Sequence, residues 1–301
     1  MHFHPLSIDD RNSLQSISLH SGRRNCNFTF ANLIGWLFFF NTDVCILDDA
    51  LILRFRFNGR LSYMVCTASN LSDPLIQQLF NDAGDTITLI GLEDSQAAAI
   101  ASTYGSTHSV SVTPDRNQYN YIYLRSNLAS VTGGKLKAKR NHVNRFRIEH
   151  PDYIYRPLSP DLFDECRRLQ SLWREERGDS NPIYGDTISA EQHVIDTMFN
   201  NWDYLGMIGG SIFVDGKMVA FSFGAPLTTD TFDVCVEKAD RNIEGAFAII
   251  NQQFAAHLPD EFIYINREED MGISGLRKAK LSYHPEILLS YNVVSIIKND
   301  A

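Results

Sequence analysis

Two short polar clusters near the end of the chain carry residue types that acid–base chemistry uses. Glu237 opens the first cluster (residues 237–240), and the second (residues 266–270) contains Arg267 and Asp270. Their carboxylates could hold a protonated amine or act as general base toward an acceptor amine. Several charged side chains at one place favour a functional site, because bringing them together costs free energy unless a ligand or a reaction requires them. The alternative is an ion-pair network at a domain edge.

A set of cations follows the second cluster, namely Arg277, Lys278 and Lys280. A helix that begins after Gly275 would place Arg277 and Lys280 on one face, because they are three residues apart. Such cations could contact a phosphate or stabilise the oxyanion that develops during acyl transfer. A solvated helical face is the other interpretation. Tyr283 lies just beyond, and we predict it as a proton donor.

A basic stretch precedes these clusters in the chain. The net charge of −9 argues against a protein that coats nucleic acid over its whole surface. Residues 125–148, however, contain no Asp or Glu, and six cations lie between residues 135 and 147. A local basic patch on an acidic body is typical of a site for a polyanion. We predict a clamp for tRNA or a phosphorylated ligand, with a solvated face as the alternative, and its residues are Lys139, Arg140, Asn141 and Arg145.

Apolar runs typical of strands lead into both polar clusters. Residues 232–236 and 262–265 are rich in β-branched and aromatic side chains, and residues 245–258 between them are apolar at helical intervals. A connection of this length suits two parallel strands. Ligands of open α/β sheets bind beyond the carboxyl ends of such strands. We therefore predict a βαβ unit that holds the two clusters together, with Asn266 and Glu269 as substrate-binding residues.

Several common classes of protein are not supported. The chain has no HExxH, GxSxG, Walker A or GxGxxG pattern, so we predict no metal site. Its five cysteines form no CxxC pair, which indicates reduced thiols. The longest apolar stretch, residues 33–40, is far below the ~20 residues that a bilayer crossing needs. We therefore expect a cytoplasmic protein without a transmembrane segment.

The order of predicted elements suggests two domains. The first half alternates helix-like and strand-like segments, including an amphipathic helix over residues 27–40 and a hairpin at Asn58-Gly59. A basic helix over residues 135–149 precedes Pro151, and the predicted domains are therefore residues 1–150 and 151–301. The second half gives two helices, an antiparallel meander and the βαβ unit. This is an α/β (α+β) order typical of N-acetyltransferases.

Several motifs in the second half of the chain give it a family resemblance. They are residues 133–135, 139–141, 144–146, 219–222, 224, 237–239, 266–272 and 275–285. With these motifs the chain resembles the DUF2156 family, which is related to the cytoplasmic C-terminal domain of bacterial phosphatidylglycerol lysyltransferases. The resemblance implies a tandem of two N-acetyltransferase-like domains, each a mixed sheet flanked by helices, with the main site in the second.

The resemblance also implies an activity. In the better-known relatives an acyl or aminoacyl group passes from an aminoacyl-tRNA to an amine or hydroxyl acceptor. The resemblance favours functional roles for Lys280 and for Arg277, the latter as a substrate contact. We predict that the catalytic residues Glu237 and Asp270 orient the aminoacyl or acceptor amine. Arg267 with Lys280 is predicted to stabilise the charge of the reacting ester. Because we expect no transmembrane segment, a small-molecule or peptide acceptor is admissible beside a lipid.

Two alternatives to this function stay open. One is an acetyltransferase that uses acetyl-CoA or another acyl-CoA, whose pyrophosphate would bind at a glycine-rich helix start. Residues 241–246 offer only Gly245 there, next to the acidic Glu244. No cofactor is therefore required by the sequence. The other alternative is a non-catalytic module that binds phosphate or RNA on the same fold.

Overall fold

The computed structural model describes residues 1–57, 59–177 and 185–299, so the Asn58 half of the predicted hairpin turn lies outside the described residues. The strands are β1 (His4–Pro5), β2 (Asp43–Leu47), β3 (Ala50–Phe57), β4 (Arg60–Cys66), β5 (Thr86–Leu92), β6 (His108–Pro114), β7 (Asn120–Leu124), β8 (Ile154–Pro157), β9 (Ile208–Val214), β10 (Lys217–Pro226), β11 (Thr231–Ala239), β12 (Tyr264–Asn266), β13 (Ile287–Leu289) and β14 (Asn292–Lys298).

The helices are α1 (Arg11–Ser21), α2 (Phe30–Gly35), α3 (Leu37–Phe40), α4 (Asp73–Ala83), α5 (Asp94–Tyr104), α6 (Arg125–Ser130), α7 (Lys137–Glu149), α8 (Phe163–Arg177), α9 (Gly185–Asn200), α10 (Trp202–Leu205), α11 (Ala246–His257) and α12 (Ser274–Leu281). Among these described helices, none has both the length and the hydropathy that a bilayer crossing requires.

The strands form two seven-stranded mixed sheets. The first has the order β1-β2-β3-β4-β5-β14-β6, and helices α4 and α5 cover one of its faces. The second has the order β13-β7-β12-β11-β10-β9-β8, with α11 packed on it. Helices α1, α2, α8 and α9 lie in the apolar core that joins the two sheets. The predicted fold class, mixed sheets flanked by helices, is confirmed.

Each sheet takes a strand from the other half of the chain. The last strand, β14, lies in the first sheet between β5 and β6, and β7 lies in the second sheet between β13 and β12. The division into residues 1–150 and 151–301 therefore stays a prediction, and no single point in the sequence separates the two sheets.

The predicted βαβ unit is present as β11, α11 and β12. The two strands are parallel but pair only over Thr231–Asp233 and Tyr264–Asn266. The pairing of the two strands ends at Asp233 and Asn266, although β11 continues to Ala239. The residues that follow β12 lie next to this continuation, since Arg267 contacts Glu237 of β11.

The helix predicted over residues 27–40 is shorter and broken. It is replaced by α2 and α3, which meet at Trp36, and Asn41 ends α3 in a left-handed conformation. Phe38, Phe39 and Phe40 remain more than a third exposed. A run of large aromatic side chains has too few small neighbours to pack as one continuous helical face.

Candidate functional site

The end of β12 and the loop after it, residues 266–270, send their side chains in different directions. Asn266 bonds to the first half of the chain, Arg267 turns toward β11, and Asp270 turns toward α12. Glu268 has φ 56° and Met271 has φ 52°, a left-handed conformation that non-glycine residues rarely adopt. Such backbone strain is found where the surrounding structure imposes it, often at functional sites.

Lys280 of α12 hydrogen-bonds to the backbone of this loop. Its Nζ donates to the carbonyl oxygens of Arg267 and Glu269, both at 2.5 Å. Burial lowers the pKa of Lys280, against the opposing effect of the nearby Glu269 and Glu268 carboxylates. The ammonium group of Lys280 therefore fixes the loop backbone through these two hydrogen bonds.

Asp270 is the most fully satisfied side chain of the loop. It is 0% exposed and accepts hydrogen bonds from Tyr121 Oη at 2.6 Å, Arg277 at 2.8 Å and Arg116 at 3.1 Å. The backbone N–H of Gly272 donates a further bond at 2.9 Å. Burial alone would raise the pKa of Asp270, but the donors, with Arg277 first, lower it to about 2. The carboxylate stays ionised and already has internal partners.

Glu237, the other predicted carboxylate, has different partners. Arg267 Nη2 lies 2.6 Å from its Oε1, and Asn251 Nδ2 lies 3.3 Å from its Oε2. Glu237 and Asp270 thus anchor separate groups, although both were predicted to orient one amine. Their catalytic roles stay predictions.

Two cations lie over the ring of Tyr283. The Arg267 guanidinium carbon is 4.9 Å from the ring centroid, and Nζ of Lys139 on α7 is 4.1 Å from it. Contacts of this kind are cation–π interactions. Burial raises the pKa of Tyr283 to about 12. We call Lys139, Arg267, Tyr283 and Glu237 the cationic cluster, and it brings three predicted catalytic residues together with one predicted binding residue.

An acid cluster on the other side of the loop was missed from the sequence. Oδ2 of Asp233 accepts hydrogen bonds from Thr29 Oγ1 at 2.6 Å and from Asn32 Nδ2 at 3.0 Å. Oε1 of Glu268 accepts from the same Asn32 Nδ2 at 2.8 Å. We call Asp233 and Glu268 the acid cluster. Their oxygens and Sγ of Cys235 lie within 4.8 Å of one another, close enough to share one cation.

The acid cluster is incompletely satisfied. Within the described part of the chain, Oδ1 of the fully buried Asp233 has no hydrogen-bond partner. Burial raises the pKa of Asp233 to about 8, and burial together with the Asp233 charge raises that of Glu268. Asp233 and Glu268 share one amide donor, so their carboxylate oxygens can still accept hydrogen bonds from a bound positive charge.

A cavity of about 150 Å³ adjoins this cluster. Asn32 lines it and contacts both acids, whereas the rest of the wall is largely apolar. The apolar wall comes from α2, α3, β3, β4 and the residue before β14, and it includes Leu33, Trp36, Phe40, Leu53, Phe55, Met64 and Tyr291. The cavity could therefore take a cationic group joined to an apolar stem.

Sequence reasoning had one usable signal for the acid cluster. Asp233 interrupts the apolar run of residues 232–236, and a buried carboxylate at such a position needs a specific partner. Thr29 and Asn32 gave no signal, because about 200 residues separate them from Asp233. No local pattern could reveal that contact.

The other predicted residues of the strand end and of α12 lie near the loop. Asn266 is buried and donates to Arg24 O at 2.7 Å and to Asn120 Oδ1 at 2.8 Å. Glu269 accepts a bond from Cys26 Sγ at 3.4 Å. Lys278 is exposed and lines an open surface groove along α12. The binding roles of these residues stay predictions.

The basic helix α7 contributes unevenly to the site. Arg140 donates to the carbonyl oxygens of Val131 and Gly133 at 3.1 Å, and Asn141 is exposed. Arg145 pairs with Glu149 at 2.8 Å and with Glu244 at 2.7 Å. Lys139 is the predicted clamp residue that reaches the loop after β12.

Helix α7 also covers the start of α11, where an acetyltransferase would hold a pyrophosphate. Gly245 has φ 85°, and a Cβ placed on it would lie 2.7 Å from the carbonyl oxygen of His142 on α7. Glu244 next to it is paired with Arg145. The residues present do not fit a pyrophosphate, because a packed helix and a carboxylate occupy its place.

The structure therefore has two mixed sheets flanked by helices, with a polar site where the pairing of β11 and β12 ends. The family model described as phosphatidylglycerol lysyltransferase, C-terminal, matches residues 20–294. The chain belongs to this family, and the resemblance inferred from its motifs is confirmed.

Solved structures agree with this assignment. A conserved protein of unknown function from Bacteroides thetaiotaomicron is 38% identical, with a TM-score of 0.90 over 98% of this chain and 99% of that one. The C-terminal domain (DUF2156) of an Agrobacterium fabrum protein assigned as a lysylphosphatidylglycerol synthetase has 14% identity and a TM-score of 0.64, over 96% of this chain and 92% of that one. No protein of curated function shows a significant match.

Proposed function

We propose that this protein is a cytoplasmic aminoacyltransferase that takes its aminoacyl group from an aminoacyl-tRNA. The acceptor is the amine or hydroxyl group of a small molecule or peptide. Membership of the lysyltransferase family and the acetyltransferase-like fold support acyl transfer in general. The donor and the acceptor class are the steps that this proposal adds.

The acid cluster is the observation that carries the proposal. An aminoacyl ester differs from most acyl donors because it bears a protonated amine close to the reacting carbonyl. Asp233 Oδ1 lacks a partner among the described residues, and Asn32, which bonds to both Asp233 and Glu268, lines a largely apolar cavity. A bound ammonium group would supply the missing donor and stabilise both carboxylates in their ionised form.

The transfer itself balances without a cofactor. The acceptor oxygen or nitrogen attacks the ester carbonyl carbon, the bond from that carbon to the ribose oxygen breaks, and the acceptor proton ends on that oxygen. Glu237 is the proposed base for the acceptor proton, since Arg267 and Asn251 hold its carboxylate in place. Asp270 and Lys280 act as positioning residues for the loop, and proximity supplies much of the rate.

An acyl-CoA donor is disfavoured in this proposal. Packing of α7 on Gly245 and the Arg145–Glu244 pair leave no anion site at the start of α11. Thermal unfolding with coenzyme A should therefore show no ligand stabilisation.

The test compares charged and uncharged bulk tRNA. We expect the protein to bind tRNA charged with labelled amino acids more tightly than uncharged tRNA, and to move label into acid-soluble products when deproteinised cell extract supplies acceptors. Asp233→Asn should lose about tenfold of the preference for charged tRNA, because a charge-assisted bond to the amine is lost. Asp260→Asn, at a 98% exposed carboxylate on the surface, is the matched control. Equal binding of both tRNA forms with no movement of label would contradict the proposal.

A further inference from the structure

The ammonium group of Lys139 lacks a counter-charge of its own. It lies 4.1 Å from the centroid of the Tyr283 ring, and it forms no ion pair with any side chain that the structure describes. Most other cations of α7 are different, since Arg140 and Arg145 are both hydrogen-bonded within the protein. Lys139 therefore stands out as a partly buried cation turned toward the loop after β12.

The guanidinium group of Arg267, beside Lys139, forms only part of its possible hydrogen bonds. Nη2 bonds to Glu237, whereas Nη1 is buried and has no hydrogen-bond partner among the residues that the structure describes. The side chain is 12% exposed, so bulk water does not easily replace the missing acceptor. A buried donor without an acceptor is costly, and such a donor at a site indicates a missing ligand atom.

The charges of the cluster do not cancel. Lys139 and Arg267 carry two positive charges, and Glu237 supplies one negative charge. Burial first, and then the Arg267 charge, lower the pKa of Lys139. One bound monoanion would balance the cluster and give both Lys139 Nζ and Arg267 Nη1 an acceptor.

The surroundings favour a phosphodiester over an isolated carboxylate. Lys135, just before α7, and Lys137, at its first position, are exposed and precede Lys139 by four and two residues, so positive charge continues from the cluster to the surface. A chain of phosphates would contact Lys135 and Lys137 as well as the cluster, whereas a single carboxylate would contact the cluster alone.

We propose that Lys139 and Arg267 form an anion subsite that binds a phosphodiester near the 3′ end of the donor RNA. This inference rests on the proposed aminoacyl transfer. Arg267 and Glu268 are consecutive residues of one loop, so the phosphate subsite and the amine subsite flank the same short stretch of backbone. A terminal aminoacyl nucleotide has the matching order of phosphate, ester and amine.

Binding of an uncharged RNA tests the subsite apart from the amine. The probe is a short 5′-fluorescein-labelled single-stranded RNA that ends in CCA, and its anisotropy is followed at about 50 mM and about 200 mM salt. Lys139→Gln should weaken binding about tenfold and should lower the salt slope by about 0.7, the value for one phosphate of a single strand. Lys139→Arg should retain most of the affinity.

Lys298→Gln is the matched control. Lys298 also lies over an aromatic ring, with Nζ 4.8 Å from the centroid of Phe80, but it belongs to the first sheet. The change in charge is the same, so loss of general attraction would affect both variants equally. We expect Lys298→Gln to bind the RNA like the unmodified protein.

Three results would overturn the inference. They are unchanged RNA binding by Lys139→Gln, equal loss in Lys298→Gln, and binding of phosphatidylglycerol vesicles that depends on Lys139 while the RNA does not bind. The last result would assign the anion to a lipid headgroup. Lys139-dependent RNA binding without any preference for charged tRNA would keep the subsite and reject the proposed amine site, so the two failures are distinguishable.

Discussion

Asp233 and Asp270 are both 0% exposed, yet their environments favour opposite states. Asp270 accepts from two arginines, a tyrosine and a backbone N–H, and its pKa is about 2. Asp233 accepts from one hydroxyl, one amide and, at 4.0 Å, the thiol of Cys235; it keeps Oδ1 unpartnered among the described residues and has a pKa of about 8. Burial alone therefore does not decide the charge of a carboxyl group. The donors around it separate a structural acid from one that can receive a ligand.

Removing the charge of Asp270 should have the largest effect. Asp270→Asn leaves Arg277 and Arg116 without their shared carboxylate, and we expect a loss of about 3–5 kcal/mol in the free energy of unfolding. Urea unfolding measures it. Asp260→Asn should change stability by less than about 1 kcal/mol. An equally small loss of stability in Asp270→Asn would contradict the structural role that is assigned to the Asp270 carboxylate.

The pH dependence of stability should distinguish Asp233 from Asp270, and this is the second largest effect that we expect. The Asp233 pKa is raised from 3.8 to about 8, so the folded state binds more protons than the unfolded state between these values, and stability should fall as pH rises across them. The Asp270 pKa is lowered, so its contribution is present above pH 3.8 and is lost as pH falls toward 2.

Asp233→Asn isolates the first of these effects. Urea unfolding at several pH values from 5 to 8 should show a flatter profile in Asp233→Asn, by up to about 1.4 kcal/mol per pH unit. An unaltered slope would mean that Asp233 is already ionised in the folded protein, and the contrast with Asp270 would disappear.

Tyr283→Phe should have the smallest effect. The ring that contacts Lys139 and Arg267 is kept and only the hydroxyl is removed, so transfer should fall less than about threefold. Steady-state transfer from charged tRNA measures it. A loss of a hundredfold or more would instead support the proton-donor role predicted from the sequence.

The sequence predicted the parts of this site that local patterns encode. Apolar periodicity identified β11, α11 and β12, and the placement of Arg267 beside Glu237 followed from their positions at two neighbouring strand ends. Lys139 was found from charge alone, because a basic run without acids is visible in one short window.

Long-range contacts account for what was missed. Asn32 reaches Asp233 and Glu268 only because α2 packs between the two sheets, and the cavity wall comes from aromatic residues far from both acids in the chain. The entry of β14 into the first sheet likewise depends on pairing with β5, some 200 residues earlier. Such partners are selected by tertiary packing, which a single sequence does not display.

Proton release on binding tests the central claim, that Asp233 and Glu268 receive an ammonium group. A series of amino-acid amides is titrated into the protein by calorimetry at pH 7 in buffers of different ionisation enthalpy. An ammonium group beside Asp233 should lower its pKa from about 8, so binding should release about one proton from Asp233, and Asp233→Asn should release correspondingly fewer protons than the unmodified protein. Binding without proton release, or the same release from Asp233→Asn, would contradict the claim, as would failure of every amide to bind.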